Sequence, residues 1–209
     1  MGVIEKVGPQ VKNVKPGDRV VASFQIACGQ CRFCKQKISS MCERTNNSSV
    51  ENVMYGHRTA GMLGYSHFTG GYAGGQAEYV RLPFGDVNLL KIPDNLSDEQ
   101  VLFLSDVLPT SYNCVVDTGV QEGDVVAVWG MGPVGLFTAQ WAFLKGAKRV
   151  IGIDQNWRLN YAKSKIPKIE TINFKNVKSV KEEIDKLVPG GLDVALECAA
   201  GAYLTLIIN

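Results

Sequence analysis

The sequence predicts an α/β protein in two parts. An antiparallel β region carrying a cysteine-rich loop comes first, and a doubly wound parallel sheet follows. Three observations predict this. Short β-like runs punctuated by glycine fill residues 1 to about 95. From about residue 96, strand-like and helix-like segments alternate. A glycine-rich turn joins the first strand of that alternation to its helix, as the βαβ pattern of a parallel sheet requires.

In the first part, Lys15-Pro16-Gly17-Asp18 reads as a turn through its Pro-Gly pair. Val20-Val21-Ala22-Ser23-Phe24 reads as a strand, and Ala77-Glu78-Tyr79-Val80-Arg81-Leu82 alternates as another. Gly70-Gly71-Tyr72-Ala73-Gly74-Gly75 reads as a tight loop, because glycine tolerates positive φ and close backbone approach.

In the second part, Asn95 to Asp98 reads as a helix entry, followed by an apolar stretch from Val101 to Leu108. Val125-Val126-Ala127-Val128-Trp129 is a near-continuous apolar run, expected of a strand buried on both faces. A helix over residues 133–146 follows by periodicity, then a strand from Arg149 to Ile153. Arg158 to Lys165 is a short helix and Thr171 to Phe174 a third strand. Lys178 to Leu187 is an amphipathic helix that stops at Pro189-Gly190-Gly191. Asp193 to Glu197 is a fourth strand.

The cysteines make the most specific chemical demand. Cys28, Cys31, Cys34 and Cys42 follow C-x2-C-x2-C-x7-C within one polar, glycine-containing stretch. Four thiolates so close together can complete a tetrahedral shell around one zinc ion. A closed shell of four has no open position, so such a zinc is structural. A disulfide pair or unpaired core thiols are the alternatives. Disulfides fit poorly, because nothing else in the chain looks secreted.

Bulk composition narrows the rest. The chain has 209 residues, 45% of them hydrophobic and 20% charged, with a net charge of +2. That is an ordinary globular balance, long enough to bury a core. A charge so near zero, with no basic run, argues against nucleic acid and membrane surfaces as partners. No apolar stretch approaches a membrane span, and the first residues lack the apolar core of a signal peptide. A reducing cytoplasm is the expected location, and it keeps the thiols available for metal.

Gly130-Met131-Gly132-Pro133-Val134-Gly135 is G-x-G-x-x-G between a predicted strand and helix. Gly130 permits the tight turn, Gly132 lets a pyrophosphate approach, and Gly135 lets helix and strand pack closely. Val134 lies in the same cofactor-binding turn. The phosphates would meet backbone N–H groups at the helix N-terminus. Asp154 ends the next strand, about twenty residues on, where a carboxylate accepts from both adenosine ribose hydroxyls and repels a 2′-phosphate. NAD is therefore expected rather than NADP. Arg158 reads as a contact to the adenosine, with a solvated surface arginine as the alternative. Trp129 is read as a core residue beside the turn. Cys114 and Cys198 stand alone in apolar surroundings and read as small core residues.

A four-cysteine zinc loop in a β region followed by this dinucleotide unit resembles the zinc-dependent medium-chain alcohol dehydrogenase family. Within it, the chain is most similar to the glutathione-independent formaldehyde dehydrogenase branch. The segments carrying this are Gly74-Gly75-Gln76-Ala77-Glu78-Tyr79-Val80, Val87-Asn88-Leu89-Leu90-Lys91 and Leu104-Ser105-Asp106-Val107-Leu108-Pro109-Thr110. The resemblance implies a partial GroES-like β domain with a structural zinc loop over residues 1–95. A partial Rossmann domain over 96–209 would follow. It makes Asp106 a ligand of a second, catalytic zinc. It implies hydride transfer from a small alcohol or aldehyde hydrate to NAD, and it allows a homo-oligomer.

The chain departs from that pattern at both ends. The family's upstream catalytic ligands precede a Met-Gly that matches Met1-Gly2 here, and four of six Rossmann strands are visible. His57 and His67 are read as loop residues, not zinc ligands. The expectation is a truncated chain, inactive alone, whose full-length form is the dehydrogenase. The alternative is a non-catalytic zinc- and NAD-binding module that pairs with or modulates a full-length homologue. A zinc-ribbon nucleic-acid binder lacks its basic stripe.

Overall fold

The computed structural model describes residues 1–199. It divides into two compact units, Met1–Asp106 and Val107–Asn209.

The first unit begins with strand β1 (Gly2–Val3) and strand β2 (Arg19–Ala22), which pair antiparallel. The turn between them is the predicted one. Gly17 has φ +88°, and the Asp18 carboxylate accepts from the Lys15 N–H at 3.0 Å. A two-residue strand β3 (Gln25–Ile26) leads into the cysteine loop, which holds the short helix α1 (Arg32–Lys35). Helix α2 (Ser49–Tyr55) follows, started by the Ser48 hydroxyl accepting from the Glu51 N–H and stopped by Gly56 at φ +73°. Strand β4 (Gly61–Met62) pairs with β3. A helical turn α3 (Gly85–Asn88) precedes strand β5 (Leu89–Lys91), which pairs with β2. The three-stranded sheet therefore has the order β1-β2-β5.

The expected strand over 77–82 does not form. Its alternation suits a strand, yet among the described residues no ladder joins it to a neighbour. A strand is a property of two segments, and the pattern of one cannot supply the other. The helix entry near Asn95 does form. Helix α4 (Asp98–Val101) opens with a full capping box between Ser97 and Gln100. The sequence places the domain division at 95/96, but Val101 is buried with Val21 and Ile92. That packing holds residues up to Asp106 with the first unit.

The second unit opens with helix α5 (Val107–Asp117), then strand β6 (Val125–Trp129), helix α6 (Pro133–Leu144) and strand β7 (Arg149–Asp154). Helix α7 (Asn156–Lys165), strand β8 (Glu170–Asn173), helix α8 (Val180–Leu187) and strand β9 (Val194–Glu197) complete it. The four strands are parallel in the order β8-β7-β6-β9. Chain order thus reverses at β6, between β7 on one side and β9 on the other. In open α/β sheets such a switch point opens a crevice beyond the strand C-termini.

Both sheet faces are covered, which explains the continuous apolar runs. Val126, Val128, Val150 and Leu196 pack on one face with Ala139 and Ala142 of α6. Ala127, Trp129, Ile151 and Ile153 pack on the other with Val180 and Ile184 of α8. On the far side of α8, Lys181 pairs with Asp185 and Lys186 with Glu183, so its amphipathic pattern is used in full. No described helix is long and apolar enough to cross a membrane.

Candidate functional site

The four loop cysteines converge. Cys31 is the N-cap of α1 and Cys34 lies within it, so their two-residue gap puts both on one helical face. Gly29, at φ +73°, reverses the chain between Cys28 and α1. A 3-10 turn over Ser39–Met41 returns the chain and delivers Cys42. The four sulfurs all lie within 4.8 Å of one another. Cys28 Sγ is 3.9 Å from Cys34 Sγ, and Cys31 Sγ is 3.9 Å from Cys42 Sγ. A tetrahedron with 2.3 Å metal–sulfur bonds has edges of about 3.8 Å. The thiols are thus spaced for zinc, and all are free rather than disulfide-bonded.

Backbone groups are already aimed at the sulfurs. The Gln30 and Cys31 N–H groups donate to Cys28 Sγ at 3.4 and 3.3 Å, and the Cys28 N–H donates to Cys42 Sγ at 3.4 Å. The Cys34 N–H beside Cys31 lowers that thiol to about 6. Burial pushes Cys34 up to about 12. At Cys42 burial acts upward, but the Thr45 hydroxyl and the Arg44 and Cys28 N–H groups prevail, and its pKa falls. Such donors stabilise thiolate, the form a metal takes.

Asn88 fastens the mouth of this loop. It is buried, and its Oδ1 accepts from the Ala27 N–H at 2.8 Å. Its Nδ2 donates to the carbonyls of Ala27 at 2.8 Å, Pro83 at 3.0 Å and Phe84 at 3.2 Å. Sequence reading quoted Asn88 only as part of a resemblance and missed this role. The nearby glycine loop behaves as expected, with Gly70 at φ +96° and Gly71 at φ +70°.

The four cysteines form the one group of three or more potential metal ligands gathered among the described residues. Asp106 ends a 3-10 segment (Leu102–Ser105) and joins no such group. His57 Nδ1 lies 2.9 Å from the Tyr55 carbonyl, and His57 is not part of the cysteine group.

In the second unit, the glycine turn sits between β6 and α6. Its three glycines differ in what surrounds them. Gly130 has φ +89°, and a Cβ there would stand 2.9 Å from Ala199 N. A Cβ on Gly135 would stand 1.8 Å from the Gly130 carbonyl oxygen, so only glycine fits. A Cβ on Gly132 would meet nothing within 4 Å. The first and third positions are closed by the protein itself, and the second faces open space. Pro133 starts α6, and the first helical bond runs from the Leu136 N–H to the Gly132 carbonyl at 2.9 Å. The N–H groups of Val134 and Gly135 therefore precede the intrahelical ladder and point at that opening.

Asp154 is buried at the end of β7. Its Oδ2 accepts from the Met131 N–H at 2.7 Å, and its Oδ1 accepts from the Gln155 N–H at 2.7 Å. Arg158 Nη1 lies 3.4 Å from both oxygens. A cleft lined by Trp129, Gly130, Asp154, Arg158, Phe174 and Lys175 opens here. Of the cofactor-binding residues expected from sequence, Gly130, Asp154 and Arg158 line this cleft, and Gly132, Val134 and Gly135 are not among its lining residues. Phe174 and Lys175 were not foreseen. They follow β8, and the parallel pairing of β8 with β7 brings them beside Asp154.

The family model for an alcohol dehydrogenase GroES-like domain matches residues 1–94, and that for a zinc-binding dehydrogenase matches residues 133–209. A zinc-type alcohol dehydrogenase-like protein of Schizosaccharomyces pombe is 40% identical over 209 residues, covering 100% of this chain and 49% of that protein. The chain belongs to the zinc-type alcohol dehydrogenase family. A glutathione-independent formaldehyde dehydrogenase of Pseudomonas aeruginosa is 41% identical over 78% of this chain and 39% of its own length. Among solved structures, the alcohol dehydrogenase TADH from Thermus sp. ATN1 aligns with a TM-score of 0.83 at 35% identity, covering 99% of this chain and 55% of that one. The chain spans about half the length of the alcohol dehydrogenase relatives it matches.

Proposed function

We propose that the chain forms the structural-zinc lobe and the adenosine-binding half of an NAD-dependent, zinc-dependent oxidoreductase that oxidises small alcohols or aldehyde hydrates. The observation that carries this reading is the glycine turn. It is open only at Gly132 and lies beside a buried carboxylate at the end of the neighbouring strand.

Each residue then has a role. Cys28, Cys31, Cys34 and Cys42 hold the structural zinc, which pins their loop and takes no part in chemistry. The Val134 and Gly135 N–H groups receive the pyrophosphate at the start of α6. Asp154 accepts from the adenosine ribose, and its charge disfavours a 2′-phosphate. Arg158, 3.4 Å from both Asp154 oxygens, flanks the adenosine. A bound NAD would supply the hydride acceptor for the substrate carbon. Asp106 joins no ligand group among the described residues, so a second, catalytic zinc is assigned to a full-length form only, where it would lower the pKa of a bound alcohol or hydrate.

A second reading has its own support. The cysteines are the one ligand set gathered among the described residues. The chain alone would then be a non-catalytic zinc- and NAD-binding module acting with a full-length homologue. Metal analysis, NAD titration and an assay of NAD reduction with ethanol and formaldehyde separate the two. One zinc per chain with NAD bound and no turnover selects the module. Two zinc ions with turnover select the enzyme. Zinc without measurable NAD binding sinks the cofactor site.

A further inference from the structure

The two cysteines outside the zinc loop are not isolated. Cys114 lies on α5 and Cys198 just past β9, and both pack against the same core cluster. Thr138 of α6, fully buried, stands between these elements. Cys198 Sγ is 3.5 Å from Thr138 Oγ1, and Cys114, packed against the same cluster, has that hydroxyl and the Cys198 thiol as its neighbours. Two thiols that sequence reading placed singly in the core therefore share one polar spot. Both are half-buried, so a small molecule can reach them.

We propose that Cys114 and Cys198 form a reversible redox pair, oxidised by hydrogen peroxide to a disulfide. The neighbouring Cys198 thiol and the Thr138 hydroxyl hold the Cys114 thiol down to about 7, while the pKa of Cys198 is pushed up. Cys114 is thus the attacking sulfur and Cys198 the resolving one. The Cys114 thiolate attacks one peroxide oxygen. The O–O bond breaks and hydroxide leaves, giving a sulfenic acid at Cys114. Cys198 sulfur then attacks the Cys114 sulfur. The S–O bond breaks, the S–S bond forms, and hydroxide departs with the Cys198 proton as water. Two thiols are oxidised and one peroxide is reduced to water.

The location gives the bond a point of action. The Cys198 N–H donates to the Trp129 carbonyl at 2.8 Å, and its Cβ stands 3.5 Å from where a Cβ on Gly135 would be. The disulfide would tie α5 to the strand end that backs the glycine turn.

The test uses the zinc-loaded chain, so that the loop thiolates stay occupied. It is treated with hydrogen peroxide, alkylated, and mapped by peptide mass spectrometry. The expected product is a linked Cys114–Cys198 peptide, lost again on treatment with dithiothreitol. In Cys198→Ser, dimedone should trap a sulfenic acid at Cys114; in Cys114→Ser, no adduct should form at Cys198. Overturning results are both thiols remaining alkylatable, oxidation of Cys114 running on to sulfinic acid with no link, or either thiol crosslinked to a zinc-loop cysteine.

Discussion

The Asp154 carboxylate accepts a hydrogen bond at 2.7 Å from the backbone N–H of Met131, the residue between the first two motif glycines. One side chain therefore braces the glycine turn and also lines the cleft. Replacing Asp154 with alanine should weaken NAD binding roughly 10- to 100-fold, the usual worth of a lost charge-assisted hydrogen bond. Calorimetric titration checks this, and unchanged affinity would remove Asp154 from the site.

Gly132 and Gly135 should respond differently to the same added methyl. A Cβ at Gly135 collides with the Gly130 carbonyl oxygen at 1.8 Å, so Gly135→Ala should destabilise the fold by about 3 kcal/mol or more. A Cβ at Gly132 meets nothing within 4 Å, so Gly132→Ala should leave Tm almost unchanged while weakening NAD binding. Paired melting and titration curves test the contrast. Equal Tm losses would contradict it.

Removing the metal should act locally. A strong chelator, or Cys42→Ser, should release the zinc and expose loop thiols to a colorimetric thiol reagent. Hydrogen exchange should rise over residues 28–62 while the strands of the second unit stay protected. Metal-coupled folding of small lobes is commonly this cooperative. Uniform loss of protection along the chain would refute a lobe-level role.

Arg149 and Glu170 predict a pH effect. The guanidinium meets the carboxylate twice, at 2.7 and 2.8 Å, joining β7 to β8. The Arg149 hydrogen bond holds the Glu170 carboxyl below the usual range. A carboxylate depressed in the folded state stabilises the protein above its unfolded pKa, and that contribution is lost as pH falls through the folded one. Glu170→Gln should therefore cost about 1 kcal/mol or less near neutral pH, since solvent screens a half-exposed pair. The difference from wild type should shrink as pH falls below the ordinary glutamate pKa of about 4.3 and the carboxyl takes up its proton. Urea melts across that range would expose a difference that persists in acid.

Features encoded within a few residues were legible. The cysteine spacing announces its loop because ligands on one short helical turn must be three apart. The glycine motif announces its turn because its neighbours in the chain are also its neighbours in space. What escaped the sequence involves distant partners. Ala77 to Leu82 has a strand's alternation but finds no ladder among the described residues. Val101 reads as the start of an apolar stretch within the second part, yet it is buried with Val21 and Ile92. Cys114 and Cys198 meet only because β9 lies beside β6, an order no local pattern contains. Phe174 and Lys175 enter the cleft for the same kind of reason.

The Asn88 amide gives the cysteine loop a rivet. By holding both the N–H and the carbonyl of Ala27 at 2.8 Å, one side chain imitates a rung of β-ladder. The loop's stem is thereby fixed at its neck whether or not metal is present at its tip. Loosening that starts at the metal ligands should therefore stop at Ala27 and leave strand β5, which follows Asn88, in place.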